Sequence, residues 1–235
     1  MKKLFLGLFV CITTLFGCNR VVEEPLGGPV YSTHFISSFC DAKEFFMVQY
    51  HNDGNVFQIH ASSEDCFRGD KYENLCQQFG DTTYNRLVPQ DPTWTACHAN
   101  LFTSIDIISS ADFGDIKAGE SLSDIVMFRG ASAKTYIDNG YLFPNADEYL
   151  QAQQELEEEL GNYKYFPIST ADLRNGFYPC VKRLSELTPE DLTLLSCRFM
   201  SIRFMQVPEI KEHTLTLIFR TEDKEVRGQC DVVFP

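Results

Sequence analysis

The sequence is short of positive charge. Its 235 residues include 20 Lys and Arg against 33 Asp and Glu, which gives a formal net charge of −13 at pH 7. A surface of this sign repels phosphate backbones and anionic lipid headgroups. Nucleic-acid binding is therefore disfavoured, whereas a cationic ligand is compatible with the composition.

The motifs that mark common enzyme and metal sites are also missing. We find no phosphate-cradling glycine loop and no zinc-protease helix. No two of the nine cysteines have the spacing of two to four residues that structural zinc sites use. Residues 119–123 lack the second glycine of a serine-nucleophile elbow. Cys97 and His98 are neighbours in sequence, but a thiol nucleophile needs its base beside it in space.

We therefore predict no catalytic residue, no metal ligand set of standard spacing and no cofactor. An enzyme is not ruled out by this, because two carboxylates that meet only in the folded chain leave no sequence signature.

The only long apolar run is too short to span a bilayer. Leu4–Phe16 has 13 uncharged, mostly apolar residues behind Lys2 and Lys3, which predicts a signal peptide over residues 1–17. The run ends Leu15-Phe16-Gly17-Cys18, which resembles the lipobox of bacterial lipoproteins. That resemblance implies cleavage before Cys18 and acylation of its sulfur, so that lipid chains hold the protein on a membrane.

Residues 18–29 combine charges, two prolines and a Gly-Gly pair, which predicts an extended tether before a single globular domain over residues 30–235. Asn19 follows the cysteine where lipoproteins kept in the inner membrane of enteric-type bacteria have Asp, so the resemblance implies the outer membrane. Glu23-Glu24 faintly resembles the acidic stretches of surface-exported lipoproteins. The periplasmic and the surface face both stay open.

An exported domain would meet an oxidising environment, where cysteines form disulfides. With Cys11 in the signal peptide and Cys18 acylated, seven candidates remain, and their pairing is open: Cys40, Cys66, Cys76, Cys97, Cys180, Cys197 and Cys230. The number is odd, so at most three bonds can form. Our first choice is Cys66 with Cys76, because they bracket a short polar segment.

Two hairpins are predicted. Apolar runs at Phe45–Tyr50 and Val56–Ile59 flank an Asp53-Gly54 turn. At the C-terminus, residues 213–220 and 225–234 alternate around a polar turn, and residues 101–108 add a further strand. Residues 61–97 have little periodicity and predict a long loop.

Helices are predicted in the middle of the chain. The clearest covers residues 146–160, with Asn145 as cap, and a shorter one begins at Thr188-Pro189. Residues 121–139 are compatible with a strand but favour a helix. The predicted fold is α+β, a mostly antiparallel, sandwich-like β-sheet with two or three short helices inserted in the middle.

Two groups of residues are candidates for a cation site. Asp112, Asp115, Glu120 and Asp124 crowd a glycine-containing loop and make a weak calcium candidate, against the alternative of solvated loop acids. His51 and His60 flank the first hairpin. A two-residue turn would put His60 opposite Met47 and the two histidines roughly 13 Å apart. We therefore predict that they share no metal.

Residues 109–126 and 213–217 resemble an uncharacterised group of gut Bacteroidetes-type lipoproteins. The resemblance implies the same lipid-anchored setting and brings no activity with it.

Three functions follow as hypotheses. The first is a non-catalytic, lipid-anchored envelope protein that binds an unknown protein or glycan ligand. The second is an extracellular hydrolase that acts on glycans or peptides through paired carboxylates. The third, a structural part of an envelope complex, predicts an exposed apolar patch.

Overall fold

The computed structural model describes residues 30–50, 53–66, 68–88, 95–142 and 176–235. Strands dominate these ranges: β1 Val30–Ser32, β2 Ser38–Tyr50, β3 Asp53–Cys66, β4 Arg86–Val88, β5 Ala96–His98, β6 Ser104–Ser109, β7 Val126–Ser132, β8 Tyr178–Arg183, β9 Leu195–Phe204, β10 Glu212–Arg220 and β11 Glu225–Val233. Two α-helices accompany them, α1 Asp70–Phe79 and α2 Lys134–Asp138, with a 3-10 turn at Leu184–Glu186.

The strands form three sheets. A six-stranded sheet has the order β3-β2-β5-β9-β7-β8, and β3 also pairs with β9. A three-stranded sheet has the order β11-β10-β6, and β1 pairs with β4 separately. Every pairing is antiparallel except that of β2 with β5. The prediction of a β-rich, mostly antiparallel fold with few helices is confirmed.

The first hairpin is confirmed, but its predicted register is wrong by one residue. His60 lies opposite Phe46, not Met47, which pairs with Ile59. Tyr50 pairs with Asp53 across a register shift, so Asp53 belongs to β3 and not to the predicted turn. His51 lies outside the described residues.

The C-terminal hairpin is confirmed, both in its position and in which of its side chains face the core. β10 and β11 pair along their full length, from Glu212 opposite Val233 to Arg220 opposite Glu225. Val226, Gly228 and Val232 are buried, and the residues between them are mainly exposed, as period-2 alternation predicts. β6 adds to the other edge of β10 and confirms the third predicted strand.

The main core lies where the three-stranded sheet meets β2. The rings of Phe45 on β2 and Phe219 on β10 stack with centroids 4.0 Å apart, and both side chains are fully buried. Phe57, Phe204 and Phe234 make further ring contacts in the same core. Such aromatic contacts add to the free energy that area burial supplies.

Three sequence predictions are wrong in whole or in part. Of residues 121–139, whose pattern favours a helix over a strand, residues 126–132 form strand β7 and Lys134–Asp138 form helix α2. All seven residues of β7 are buried, which removes the alternation that marks a strand. The segment from Thr188 makes only turns, although Thr188 and Asp191 exchange the hydrogen bonds of a helix capping box, because the left-handed Leu194 (φ 53°) leads directly into β9. The helix predicted over residues 146–160 lies outside the described residues.

The third error is α1, which occupies part of the predicted loop over residues 61–97. Its buried residues, Tyr72, Cys76 and Phe79, follow one another at intervals of four and three, so only one narrow face is apolar. Gly80 closes the helix in the left-handed conformation (φ 76°). No helix among the described residues is long and apolar enough to cross a membrane.

We predict that Gly228→Ala destabilises the protein by about 3 kcal/mol, because the added Cβ would lie 1.9 Å from the backbone carbonyl oxygen of Phe45 and would force β11 and β2 apart. Chemical denaturation measures this loss, with Gln229→Ala, an exposed neighbour on β11, as the control. Equal stabilities for the two variants would contradict the close approach of β11 to β2.

Candidate functional site

A groove of about 610 Å³ opens beside β2, between α1 and several of the segments that connect the strands. This volume lies within the usual range of ligand sites. Its walls come from β2, α1, the β5–β6 connection, the turns before β9 and the β10–β11 turn, and the lining residues are Asp41, Lys71, Leu75, Ala99, Asn100, Leu101, Phe102, Thr103, Pro189, Thr193, Thr221, Glu222, Asp223 and Lys224. We call it the β2–α1 groove.

Asp41 is the most firmly held acid of the groove. Its Oδ1 accepts a hydrogen bond from Asn100 Nδ2 at 3.0 Å, and Asn100 Oδ1 in turn accepts one from the backbone N–H of Ala42 at 2.8 Å. Lys43 bonds to the same carboxylate, and Lys224 Nζ lies 3.7 Å from it. Partial burial acts to raise the pKa of Asp41, but these hydrogen bonds and charges outweigh it and lower the pKa below its usual value. Asp41 is therefore an anion at neutral pH.

The opposite wall is pinned in place by backbone bonds. Thr103 donates its backbone N–H to the Arg220 carbonyl at 2.7 Å, which ties the β5–β6 connection to the end of β10. The turn that follows is closed by Thr221 N–H to the Lys224 carbonyl at 2.9 Å, and the Thr221 hydroxyl donates to Asp223 Oδ1 at 2.7 Å. The hydrogen bond from Thr221 lowers the pKa of Asp223. The groove is therefore preformed.

Buried aromatic rings lie behind the groove. Phe102 lines it, is 1% exposed, and contacts His98 edge-on with centroids 5.8 Å apart. His98 is fully buried, and its ring nitrogens make no hydrogen bond of good geometry with the described residues, although the Cys40 backbone lies near enough to favour the charged ring slightly. Burial lowers the pKa of His98 from 6.5 to about 4 because the charged ring would lose its hydration.

A second cluster of polar residues lies at the end of α1. Asp81, fully buried, accepts bonds from the backbone N–H groups of Phe35 and Ile36 at 2.7 and 2.8 Å and from the Tyr141 hydroxyl at 2.9 Å. Burial raises the pKa of Asp81, and these three donors act against that rise. The ring Nδ1 of His34 bonds to the Asp81 backbone carbonyl.

All seven predicted disulfide cysteines are described, and all are free thiols in the structure. The pair that comes close is Cys40 and Cys197, from strands on either side of β5, and their sulfur atoms are not bonded to each other. A hydrogen bond to Cys40, followed by burial, raises the pKa of Cys197. Cys66 and Cys76 remain separate thiols.

The four acids of the weak calcium candidate do not gather around a common point. Asp112 holds Lys117 Nζ at 2.8 Å and the Ala118 N–H at 3.0 Å, while Glu120 accepts the Lys117 N–H at 3.0 Å. Asp115 and Asp124 are exposed. Among the described residues, one group of three metal-ligand side chains lies within 4.8 Å, and it consists of His34, Cys76 and Asp81.

Sequence reasoning missed both the groove and this group. The three side chains come from positions up to 47 residues apart, so they share no local motif. Cys97 and His98, neighbours in sequence, are both completely buried. His60 is a partly buried residue of β3, and its ring stacks on that of Phe46 on β2.

Comparison with known proteins gives no family for this chain. No protein-family model, curated protein or solved structure matches it.

We predict that the stability of the protein falls by about 3 kcal/mol relative to that of His98→Leu as the pH drops from 6.5 to 4. In this window the unfolded chain takes up a proton at residue 98 that the folded chain does not. Urea denaturation of both proteins at several pH values measures the difference. A stability difference that does not change with pH would show that His98 titrates normally in the folded state.

Proposed function

We propose that this protein is a lipid-anchored envelope protein whose folded domain binds a peptide segment in the β2–α1 groove without altering it. The preformed groove is the observation that supports the proposal most strongly. The location in the cell envelope is inferred from residues 1–17, which resemble a signal peptide, and from Cys18, which resembles a lipobox cysteine; these residues lie outside the described ones. The first described strand, β1, begins at Val30, directly after the expected tether.

The lining of the groove favours a peptide. Leu101 is 49% exposed and Leu75 is partly exposed, so both can contact apolar side chains of a ligand. Lys71 and Lys224 supply positive charges, and Asp41 and Glu222 supply negative ones, which suits an extended segment of mixed charge. Phe102 is buried and cannot present its ring face to a sugar, so a glycan fits less well.

The acidic residues of the groove give less support to the hydrolase alternative. A glycosidase needs one carboxyl group with a raised pKa to donate a proton to the leaving group. In the groove the pKa values of Asp41 and Asp223 are both lowered. Asp81 does have a raised pKa, but it does not line the groove. Binding is therefore the function we propose, on a scaffold in which the two larger sheets pack as a sandwich.

Export also bears on the thiols. In an oxidising compartment we expect Cys40 and Cys197 to form a disulfide, in which the two thiols pass two electrons and two protons to a disulfide of an exported thiol oxidoreductase. Non-reducing peptide mapping by mass spectrometry tests this pairing, and two unmodified thiols in the exported protein would contradict it.

Selection from a library of blocked hexapeptides tests the groove. We predict that Leu101→Glu and Lys224→Glu each weaken binding of the selected peptide at least tenfold, because the first puts a charge in the apolar part and the second reverses a charge beside Asp41. Affinity is measured by calorimetry. Val48→Glu, a change at a 50% exposed residue outside the groove, is the control and leaves the affinity unchanged.

The same experiment separates the alternatives. If no peptide is selected, or if the control weakens binding as much as the groove variants, the groove is not the binding site. Cleaved library peptides in the mass spectra would favour the hydrolase.

A further inference from the structure

The polar cluster at the end of α1 contains the donor atoms of a metal site. One ring nitrogen of His34, the Cys76 sulfur and a carboxylate oxygen of Asp81 lie within 4.8 Å of one another. Glu73 lies beside this group, with its Oε2 3.1 Å from His34 Nε2, but it is not one of the three side chains whose ligand atoms all lie within 4.8 Å of one another. We call His34, Cys76 and Asp81 the α1 cluster, with Glu73 at its edge. Nitrogen, sulfur and carboxylate oxygen are the donor types that Zn²⁺ uses in proteins.

The proton on His34 is placed by its surroundings. Nδ1 faces the backbone carbonyl of Asp81, which can only accept a hydrogen bond, so Nδ1 carries a proton. In a neutral ring Nε2 then has a lone pair, and that lone pair faces the Glu73 carboxylate. Two acceptors oppose each other unless the ring is an imidazolium or a cation lies between them. Metal-bound histidines have this arrangement, with Nδ1–H on a carbonyl and Nε2 on the metal.

The distances suit a tetrahedral ion. With bonds of about 2.0 to 2.1 Å from zinc to nitrogen and oxygen, the edge between those two ligands is about 3.3 Å, and His34 Nε2 and Glu73 Oε2 are 3.1 Å apart. With a zinc–sulfur bond of about 2.3 Å, the edge from sulfur to either is about 3.6 Å. Within the group of His34, Cys76 and Asp81 the donor atoms would have to approach one another by up to about 1.5 Å, and Glu73, which lies outside this group, would have to move by rotation of its exposed side chain.

The local structure positions these donors. Glu73 and Cys76 are three residues apart on α1 and so lie on one face. Asp81 follows the left-handed Gly80, and its Oδ2 has one acceptor position left beside the bond from Ile36. Cys76 and Asp81 are fully buried, whereas the side chains of His34 and Glu73 are 13% and 54% exposed. An ion would enter from the Glu73 side.

We propose that the α1 cluster binds one Zn²⁺ through a ring nitrogen of His34, Cys76 Sγ and an Asp81 carboxylate oxygen, and that the exposed Glu73 side chain moves to supply the fourth ligand. With these four protein ligands no position is left open, so the site is structural. The ion joins the segment before β2 to α1, and it does so independently of what the β2–α1 groove binds.

Cobalt titration tests the proposal, because Co²⁺ takes zinc sites and reports thiolate ligands by a near-ultraviolet charge-transfer band. The purified protein is stripped of metal and reduced, and Co²⁺ is added. We expect one equivalent to bind with this band, with visible bands of tetrahedral cobalt, and with displacement by Zn²⁺. Cys76→Ser loses the charge-transfer band, and His34→Gln weakens affinity at least tenfold.

Cys180→Ser, which also removes a buried thiol, is the matched control and keeps the spectrum. Circular dichroism checks that each variant folds. If Cys76→Ser does not fold, the loss of cobalt affinity in His34→Gln tests the site instead, since the His34 side chain is 13% exposed and its replacement disturbs the core less. Absence of the band in the wild-type protein, or its persistence in Cys76→Ser, overturns the proposal. A Cys66–Cys76 disulfide in the protein isolated without reductant also overturns it, since that bond consumes the ligand.

Discussion

The buried carboxylate of Asp81 is the group on which the packing around α1 depends. It accepts hydrogen bonds from two successive backbone N–H groups, those of Phe35 and Ile36, and from the Tyr141 hydroxyl. Its own backbone N–H closes α1 by donating to the Cys76 carbonyl at 2.8 Å. One residue thus connects the approach to β2, the end of α1 and the segment after α2. Without its carboxylate three buried donors would lose their partner, each at a cost of about 1 to 3 kcal/mol.

Because Asp81 sets the position of α1, it also shapes what lies on either face of that helix. Lys71 and Leu75 turn one part of α1 toward the groove, while Cys76 belongs to the α1 cluster and Glu73 lies at its edge. The aromatic core behind the groove, in which Phe45 stacks on Phe219, keeps the opposite wall rigid. A preformed groove loses little conformational entropy on binding, which is the physical reason for assigning recognition to it.

The sequence predicted those parts of the fold whose pattern is local. Alternation along β11 placed Val226 and Val232 inward, and the turn between two apolar runs placed the β2–β3 hairpin. β7 was mistaken for a helix because burial of every residue leaves no period to read. α1 was missed because a mainly polar segment hides its narrow apolar face. The groove and the α1 cluster depend on chain segments that meet only after folding, such as His34 and Asp81, so no spacing could have shown them.

The groove as a peptide site and the pairing of Cys40 with Cys197 both assume that Cys18 holds the domain outside the cytoplasm. Intact-mass spectrometry of the protein extracted from membranes of a lipoprotein-producing bacterium, compared with Cys18→Ala, measures this most directly. We predict a chain that begins at Cys18 and carries the mass of two or three acyl chains, and we predict that the variant lacks that increment. An unmodified chain, or one that keeps residues 1–17, would contradict the lipid anchor and the location inferred from it.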